Sequence, residues 1–209
     1  FDFSMDRDTL HLSITDAMGH TVEAAVLATV LVGALRNARR ADEANGLAAQ
    51  VRQAELGLSA FADPGAFVTG QIARIELETG TAQIVNAGHP LPLRLRGGRV
   101  EPVALDTDPP FGSSPGHRYQ VQQLPLEAGD RLVFMTDGVL ERQARRVDVE
   151  QVIRDSAGQH PREAVQRIVS AVLGATGGAL EDDASVLCLD WHGGPPRDRT
   201  TSAGANRSG

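Results

Sequence analysis

The feature that most constrains the fold is an alternating strand that ends in an acidic turn and runs into an apolar helix. Leu10, Leu12 and Ile14 alternate with more polar residues, which is typical of a β-strand with one buried face. Asp16 stands at the end of this strand, and Gly19 permits a tight reversal that a side chain would resist. The pattern predicts a carboxylate at the edge of a core strand beside open backbone, where catalytic sites are often built.

The composition indicates a globular chain with an aliphatic core, in one sizeable domain or two small ones. Of its 209 residues, 41% are hydrophobic and only 4% aromatic. A net charge of -7 argues against nucleic-acid binding, which draws on a basic surface. Every basic residue is Arg, which excludes Schiff-base chemistry and lysine-dependent phosphate loops. A single cysteine, Cys188, excludes an internal disulfide and suits a reducing compartment, so we expect a cytoplasmic protein.

The order of predicted elements favours antiparallel sheets covered by helices. The predicted strands cover residues 10–15, 66–78, 81–86, 91–96, 99–103, 118–124, 131–135 and 184–190, and the predicted helices cover residues 21–40, 43–60, 147–156 and 161–173. Because strands come in hairpins and helices in pairs, this order indicates a layered α+β fold. The first helix is apolar through its first half, so we expect it to be covered on several sides. Its apolar run is well short of the roughly 20 residues that span a bilayer.

Two further acidic sites repeat the strand-end pattern of Asp16. Asp137, which precedes Gly138, follows one apolar strand, and Asp182 and Asp183 precede another. Each site taken alone is well explained as ordinary turn chemistry, because Asp before Gly is common in turns. Together they would bring like charges to one end of a sheet, and a hard divalent cation is the simplest compensation. Mg²⁺ and Mn²⁺ prefer such oxygen ligands, so the three sites favour a metal site.

Four short motifs follow one another along the chain. They are Asp16-Ala17-Met18-Gly19-His20 with Ala24-Ala25, Asn86-Ala87-Gly88-His89-Pro90, Gly129-Asp130-Arg131-Leu132 through Thr136-Asp137-Gly138-Val139-Leu140-Glu141, and Asp182-Asp183-Ala184-Ser185-Val186. In this order they resemble the PPM-type metal-dependent serine/threonine phosphatases, in their bacterial SpoIIE-like branch. The resemblance implies an αββα sandwich, with two antiparallel β-sheets flanked by pairs of helices. We expect one N-terminally incomplete domain over residues 1–192 and a disordered tail over residues 193–209.

The resemblance also implies a site for two Mn²⁺ or Mg²⁺ ions at one end of the sandwich. Asp16 would bridge the two metals, and the backbone carbonyl of Ala17 would bind one of them. Asp137 and Asp182 would hold the other, and a water between the ions would attack phosphorus in line. The three aspartates are thus the expected catalytic residues. The residues expected around the metals or the substrate are Asp183, Gly138, His89 and His20.

The chain departs from the family pattern in three places, one of which is Ala17, where the family frequently has Gly. The acid of the family's first motif would lie just before residue 1, and Asp2 is the nearest carboxylate that could replace it. Met18 stands where eukaryotic relatives place a general-acid His. A catalytically weakened pseudophosphatase, kept as a binding or regulatory module, is therefore the alternative to an active enzyme. A phosphatase with an aspartyl nucleophile fits less well, because it would need a second Asp at the position of Met18.

The resemblance further implies a role in regulating sigma factors. Domains of this branch often dephosphorylate a phosphorylated anti-sigma-factor antagonist, and they usually follow an upstream sensor domain. We expect neither a nucleic-acid partner nor a membrane span.

Three smaller expectations concern individual side chains. His89 is expected to sit in a tight turn, with substrate contact as the alternative. Thr69 is expected to pack in the core rather than face the site. The arginines of residues 36–40 are expected to form a solvated face.

Overall fold

The structure is a computed structural model, and it describes residues 1–17, 19, 21–41, 46–63, 65–139, 147–177 and 184–193. Within these ranges the strands form two antiparallel sheets. The five-stranded sheet contains, in spatial order, β1 (Asp2–Met5), β2 (Thr9–Ala17), β3 (Val68–Glu76), β4 (Thr81–Ala87) and β7 (Gln122–Pro125). The four-stranded sheet contains, in spatial order, β6 (Arg99–Pro102), β5 (Leu93–Arg96), β8 (Asp130–Met135) and β9 (Val186–Trp191).

Each sheet is covered on its outer face by a pair of helices. The first pair, α1 (Val22–Ala41) and α2 (Gly46–Ser59), lies between β2 and β3 in the chain and packs on the five-stranded sheet. The second pair, α3 (Val149–Asp155) and α4 (Pro161–Ala175), packs on the four-stranded sheet. The fold is therefore α+β, an αββα sandwich, and the predicted fold class is confirmed. No helix in the described part of the chain is both long enough and apolar enough to cross a membrane.

Three hydrophobic cores hold the four layers together, because the side chains of a strand alternate between its two faces. In β8, Leu132 and Phe134 pack between the sheets, whereas Val133 and Met135 pack under the second helix pair. The core between the sheets also contains Leu12, Ile14, Ile75, Ile84 and Trp191. The core under the first helix pair contains Leu31, Leu35, Leu47, Val51, Val68, Ile72 and Phe111.

The expectation that α1 is covered on several sides is wrong. Val22 is 78% exposed and Val26 is 52% exposed, whereas Leu31 and Leu35 are buried. A helix that packs on one sheet and one neighbouring helix buries only the stripe that faces them. Val22 and Val26 lie off that stripe, so that the apolar start of α1 is a surface feature.

The arginines of α1 are not a uniformly solvated face either, which corrects a second expectation. Arg36 donates two hydrogen bonds to the carboxylate of Asp2, at 3.0 Å and 2.6 Å, and Arg39 donates a third at 3.0 Å. Asp2 is only 8% exposed, and bonding to Arg36 is the main reason why its pKa lies below the usual value. Asp2 therefore ties β1 to α1, and its oxygens are engaged by cations rather than open to a metal.

Candidate functional site

The first half of the candidate site lies at the end of β2. Asp16 pairs with Thr69 on β3, and Ala17 pairs with Val68, so that β2 continues as a regular strand through both residues. Asp16 is half-buried. The Thr69 hydroxyl donates to the backbone carbonyl of Asp16 at 3.3 Å. The expectation that Thr69 belongs to the core is wrong, because its hydroxyl faces the acidic end of the neighbouring strand.

The second half lies where β8 leaves the other sheet. Asp137 begins a single 3-10 turn, Asp137–Val139, two residues after β8 ends at Met135. Asp137 is exposed, while Gly138 is buried. The start of β9 is held beside this point, because Thr136 donates its N–H to the Ser185 carbonyl at 3.1 Å and Ser185 donates to the Thr136 hydroxyl oxygen at 2.8 Å.

Three of the expected site residues lie in parts of the chain that the structure does not describe. Asp182, Asp183 and His20 lie outside the described residues, and their roles remain predictions from the sequence.

His89 connects the two halves. Its Nδ1 lies 3.0 Å from the Thr69 hydroxyl oxygen, and its ring also faces the Met135 carbonyl and the charge of Asp137. The side chain is 3% exposed, and Nε2 is buried without a hydrogen bond. Burial lowers the pKa of His89 to about 4, and the Asp137 charge and the Met135 carbonyl oppose that shift only in part. The expected tight turn is thus present, and the neutral ring lies between the sheets at their acidic end.

The turn that carries His89 is itself braced. The His89 N–H donates to the Asn86 side-chain oxygen at 3.0 Å, and the Asn86 amide donates to the Thr107 hydroxyl at 3.2 Å. Gly88 has φ +66°, and a Cβ added there would lie 2.6 Å from Cγ of Pro110. Thr107 and Pro110 belong to the β6–β7 connection, residues 103–121, which therefore packs directly against the His89 turn.

The same connection is anchored on both sides of the site. The backbones of Phe111 and Val68 exchange two hydrogen bonds of 2.9 Å, and Val68 precedes Thr69 on β3. The connection is also bound to α2, because the Glu55 carboxylate accepts from the Gly112 N–H at 3.0 Å and from the Tyr119 hydroxyl at 3.1 Å. The loop is therefore fixed to both a helix and a strand, which gives the acidic end of the sandwich a rigid support.

The donor chemistry fits a hard divalent cation. Asp16, Asp137 and the Ala17 carbonyl offer only oxygen donors, the kind that Mg²⁺ and Mn²⁺ prefer. Among the residues that the structure describes, no three His, Cys, Asp or Glu side chains gather closely enough to hold a metal on their own. A complete ligand set would therefore draw on further donors, and Asp182 is the sequence's candidate.

Comparison with known proteins decides the family. A family model described as Stage II sporulation protein E (SpoIIE) matches residues 6–192. The chain belongs to the SpoIIE family. The match contains Asp16, Asp137 and all four motifs noted in the sequence, so the resemblance to SpoIIE-like phosphatases is confirmed.

Solved structures share the fold of this SpoIIE-family domain. The RsbU and RsbW domains of a Mycobacterium tuberculosis protein match with a TM-score of 0.77 and 24% identity, over 94% of this chain and 57% of that one. The PP2C phosphatase domain of SpoIIE from Bacillus subtilis, with a fragment of its regulatory domain, matches with a TM-score of 0.73 and 20% identity, over 90% of this chain and 57% of that one. This chain thus spans less than two thirds of either.

A third solved structure is the catalytic domain of the serine/threonine phosphatase PstP in complex with two manganese ions. It matches with a TM-score of 0.63 and 17% identity, over 90% of this chain and 89% of that one. At these identities the likeness establishes the PP2C fold for the SpoIIE-family domain, and residue roles have to be argued from its own side chains.

Proposed function

We propose that this domain is a metal-dependent protein-serine/threonine phosphatase. It would hydrolyse phosphoserine or phosphothreonine on a regulatory protein, and membership of the SpoIIE family favours an anti-sigma-factor antagonist as that protein. The observation that carries the proposal is the convergence of strand ends from opposite sheets. Asp16 on β2 and Asp137 after β8 are linked through Thr69 and His89 at one end of the sandwich.

In this proposal the carboxylates of Asp16 and Asp137, with the Ala17 carbonyl, hold Mn²⁺ or Mg²⁺, and Asp182 completes the set. Bound at such a site, a pair of these ions lowers the pKa of a coordinated water and offsets charge on the phosphoryl oxygens. The exposed side of Asp137 leaves room for a phosphorylated side chain to approach. His89 is engaged with Thr69 and buried, so it serves the architecture rather than the substrate.

A second candidate function is the pseudophosphatase, a SpoIIE-family fold that binds a regulatory partner without turnover. Arg36 and Arg39 engage the Asp2 carboxylate, so Asp2 would not add a metal ligand to the site. An upstream sensor domain, a tail over residues 193–209 and a cytoplasmic location stay predictions.

The deciding experiment is phosphate release from a phosphoserine peptide with and without Mn²⁺, for wild type, Asp137→Asn and Asp155→Asn. Asp155 is exposed at the end of α3, so its variant is a matched control with the same loss of charge. We expect Mn²⁺-dependent release that falls by at least about 100-fold in Asp137→Asn, because even partners of metal ligands change activity by about 10–100-fold. The control should retain the wild-type rate. Equal, metal-independent rates in wild type and Asp137→Asn would reject the enzyme.

Calorimetry separates the two candidates further. Mn²⁺ binding without any phosphate release would favour the pseudophosphatase, whereas binding with release would favour the enzyme.

A further inference from the structure

We propose that His89 and Thr69 together form a positioning strut between the two sheets, which sets the separation of Asp16 and Asp137. The inference rests on the proposed function, since that separation matters only if both carboxylates serve shared metal ions. It assigns roles to Thr69, which contacts the backbone carbonyl of Asp16, and to His89, neither of which is proposed as a metal ligand.

The first step is the link on the five-stranded sheet. Thr69 is directly opposite Asp16 in the β2–β3 register, and its hydroxyl oxygen lies 3.3 Å from the Asp16 carbonyl and 3.0 Å from His89 Nδ1. A hydroxyl has one proton to donate and two lone pairs to accept with. If Nδ1 carries the imidazole proton, His89 donates to Thr69 and Thr69 donates to the Asp16 carbonyl. If Nε2 carries it, Thr69 donates to Nδ1 in place of the Asp16 carbonyl, so the complete link from His89 to Asp16 requires the Nδ1–H tautomer.

The second step is the link to the four-stranded sheet. The His89 ring faces the carbonyl of Met135, the last residue of β8. The negative charge of Asp137, two residues later, acts to raise the pKa of the ring. The His89 side chain is 3% exposed, so bulk solvent does not reach the ring at this point. The ring therefore acts as a spacer whose thickness fixes how closely the two strand ends approach.

The third step is the rigidity of the mount. The His89 N–H donates to the Asn86 side chain, the Asn86 amide donates to Thr107, and Pro110 leaves no space for a Cβ at Gly88. A side chain that merely filled space would not need a turn fixed at three points. Groups that orient metal ligands without binding the metal are a common part of metal sites, and their loss typically changes affinity or activity by about 10–100-fold.

The test compares Thr69→Val, Thr69→Ser and Thr29→Val with wild type. Val keeps the shape of Thr and removes the hydroxyl, whereas Ser restores the hydroxyl and removes the methyl group. Thr29 is the matched control, because its hydroxyl also donates to a backbone carbonyl, that of Ala25, but on the exposed side of α1. The readouts are the Mn²⁺ dissociation constant by calorimetry, the midpoint of thermal unfolding in EDTA, and the Mn²⁺ concentration that gives half-maximal phosphate release.

We expect Thr69→Val to raise the Mn²⁺ dissociation constant by about 10-fold, within the range for residues that orient ligands. Thr69→Ser should bind within about 3-fold of wild type, and saturating Mn²⁺ should restore most of the rate of Thr69→Val. In EDTA the unfolding midpoint of Thr69→Val should stay close to that of Thr29→Val, since the defect concerns the metal rather than the fold. His89→Asn, which keeps a polar group toward Thr69 and shortens the spacer, should weaken Mn²⁺ binding as well.

The inference is overturned if folded Thr69→Val binds Mn²⁺ as tightly as wild type, or if Thr69→Ser is as weak as Thr69→Val. Its failure is distinct from failure of the proposed function. Wild type that binds Mn²⁺ without releasing phosphate removes the proposed function, and the strut is then judged by Mn²⁺ affinity alone. Wild type that binds no Mn²⁺ overturns both.

Discussion

Replacing Gly88 by Ala tests how tightly the His89 turn is held. Gly88 has φ +66°, a region that costs an L-residue roughly 1–2 kcal/mol. The new Cβ would also lie 2.6 Å from Cγ and 3.0 Å from Cδ of Pro110, where ordinary contact begins near 3.4 Å. A proline ring has little freedom to move aside, and forcing extra volume into a packed site typically costs about 1–3 kcal/mol. These two costs sum to about 2–5 kcal/mol. The less flexible unfolded chain offsets about 0.4–1 kcal/mol of this, so the net loss in the free energy of unfolding is about 1–4.5 kcal/mol.

Gly97→Ala is the matched control. Gly97 has φ +56° in the β5–β6 hairpin, and an added Cβ there meets nothing within 4 Å. Both variants suffer the same backbone penalty and the same gain of about 0.4–1 kcal/mol from a less flexible unfolded chain. The difference between them, measured by equilibrium urea unfolding in EDTA, therefore isolates the Pro110 contact and should be about 1–3 kcal/mol. Unfolding free energies that agree within about 0.5 kcal/mol would refute the reasoning, because experimental resolution is of that order.

Two further predictions concern buried ion pairs. Arg131 is 3% exposed and donates to both carboxylate oxygens of Asp190, at 2.6 and 2.7 Å, and to the Ser156 carbonyl at 2.7 Å. Arg131→Met leaves Asp190 without its partner, so the free energy of unfolding, measured in urea, should fall by about 3–5 kcal/mol. A decrease below about 1 kcal/mol would contradict this. The pKa of Asp2 is lowered chiefly by Arg36, so its carboxylate contributes stability that is fully present above about pH 3.9, the value in an unfolded chain. The difference in the free energy of unfolding between wild type and Asp2→Asn should therefore be largest at pH 7 and decrease as the pH falls through the lowered pKa of the folded state. A difference that does not change with pH would contradict this.

Local patterns were sufficient for the fold class because alternation along a strand reports directly on which face is buried. Leu12 and Ile14 on β2, and Leu132 and Phe134 on β8, all enter the core between the sheets, as their spacing indicates. The acidic residues at the ends of these two strands could be identified from the sequence for the same reason. Asp16 and Asp137 each follow a run of buried residues, and a polar residue at the end of such a run is readily noticed.

The contacts that join these elements could not be read from the sequence. Thr69 looks like one more β-branched strand residue until the β2–β3 register places it opposite Asp16, 53 residues earlier. Arg36 and Arg39 look like solvated charges until Asp2 is brought beneath them by the β1–β2 hairpin. In each case a long-range pairing decides the role of the side chain, and no periodicity within one element encodes which partner it meets.

The insertion of α1 and α2 between β2 and β3 has a consequence for folding kinetics. The two strands are neighbours in the sheet, yet the residues that meet at their acidic ends are separated by 53 positions in the chain. Closing a loop of that length carries an entropy cost that local contacts do not repay, so such pairings form slowly. A helical hairpin forms from nearby residues, and once α1 and α2 have paired they bring the two strand ends together. We therefore expect the backbone amides of Thr69 and Asp16 to gain protection from hydrogen exchange later during refolding than those within the helical hairpin.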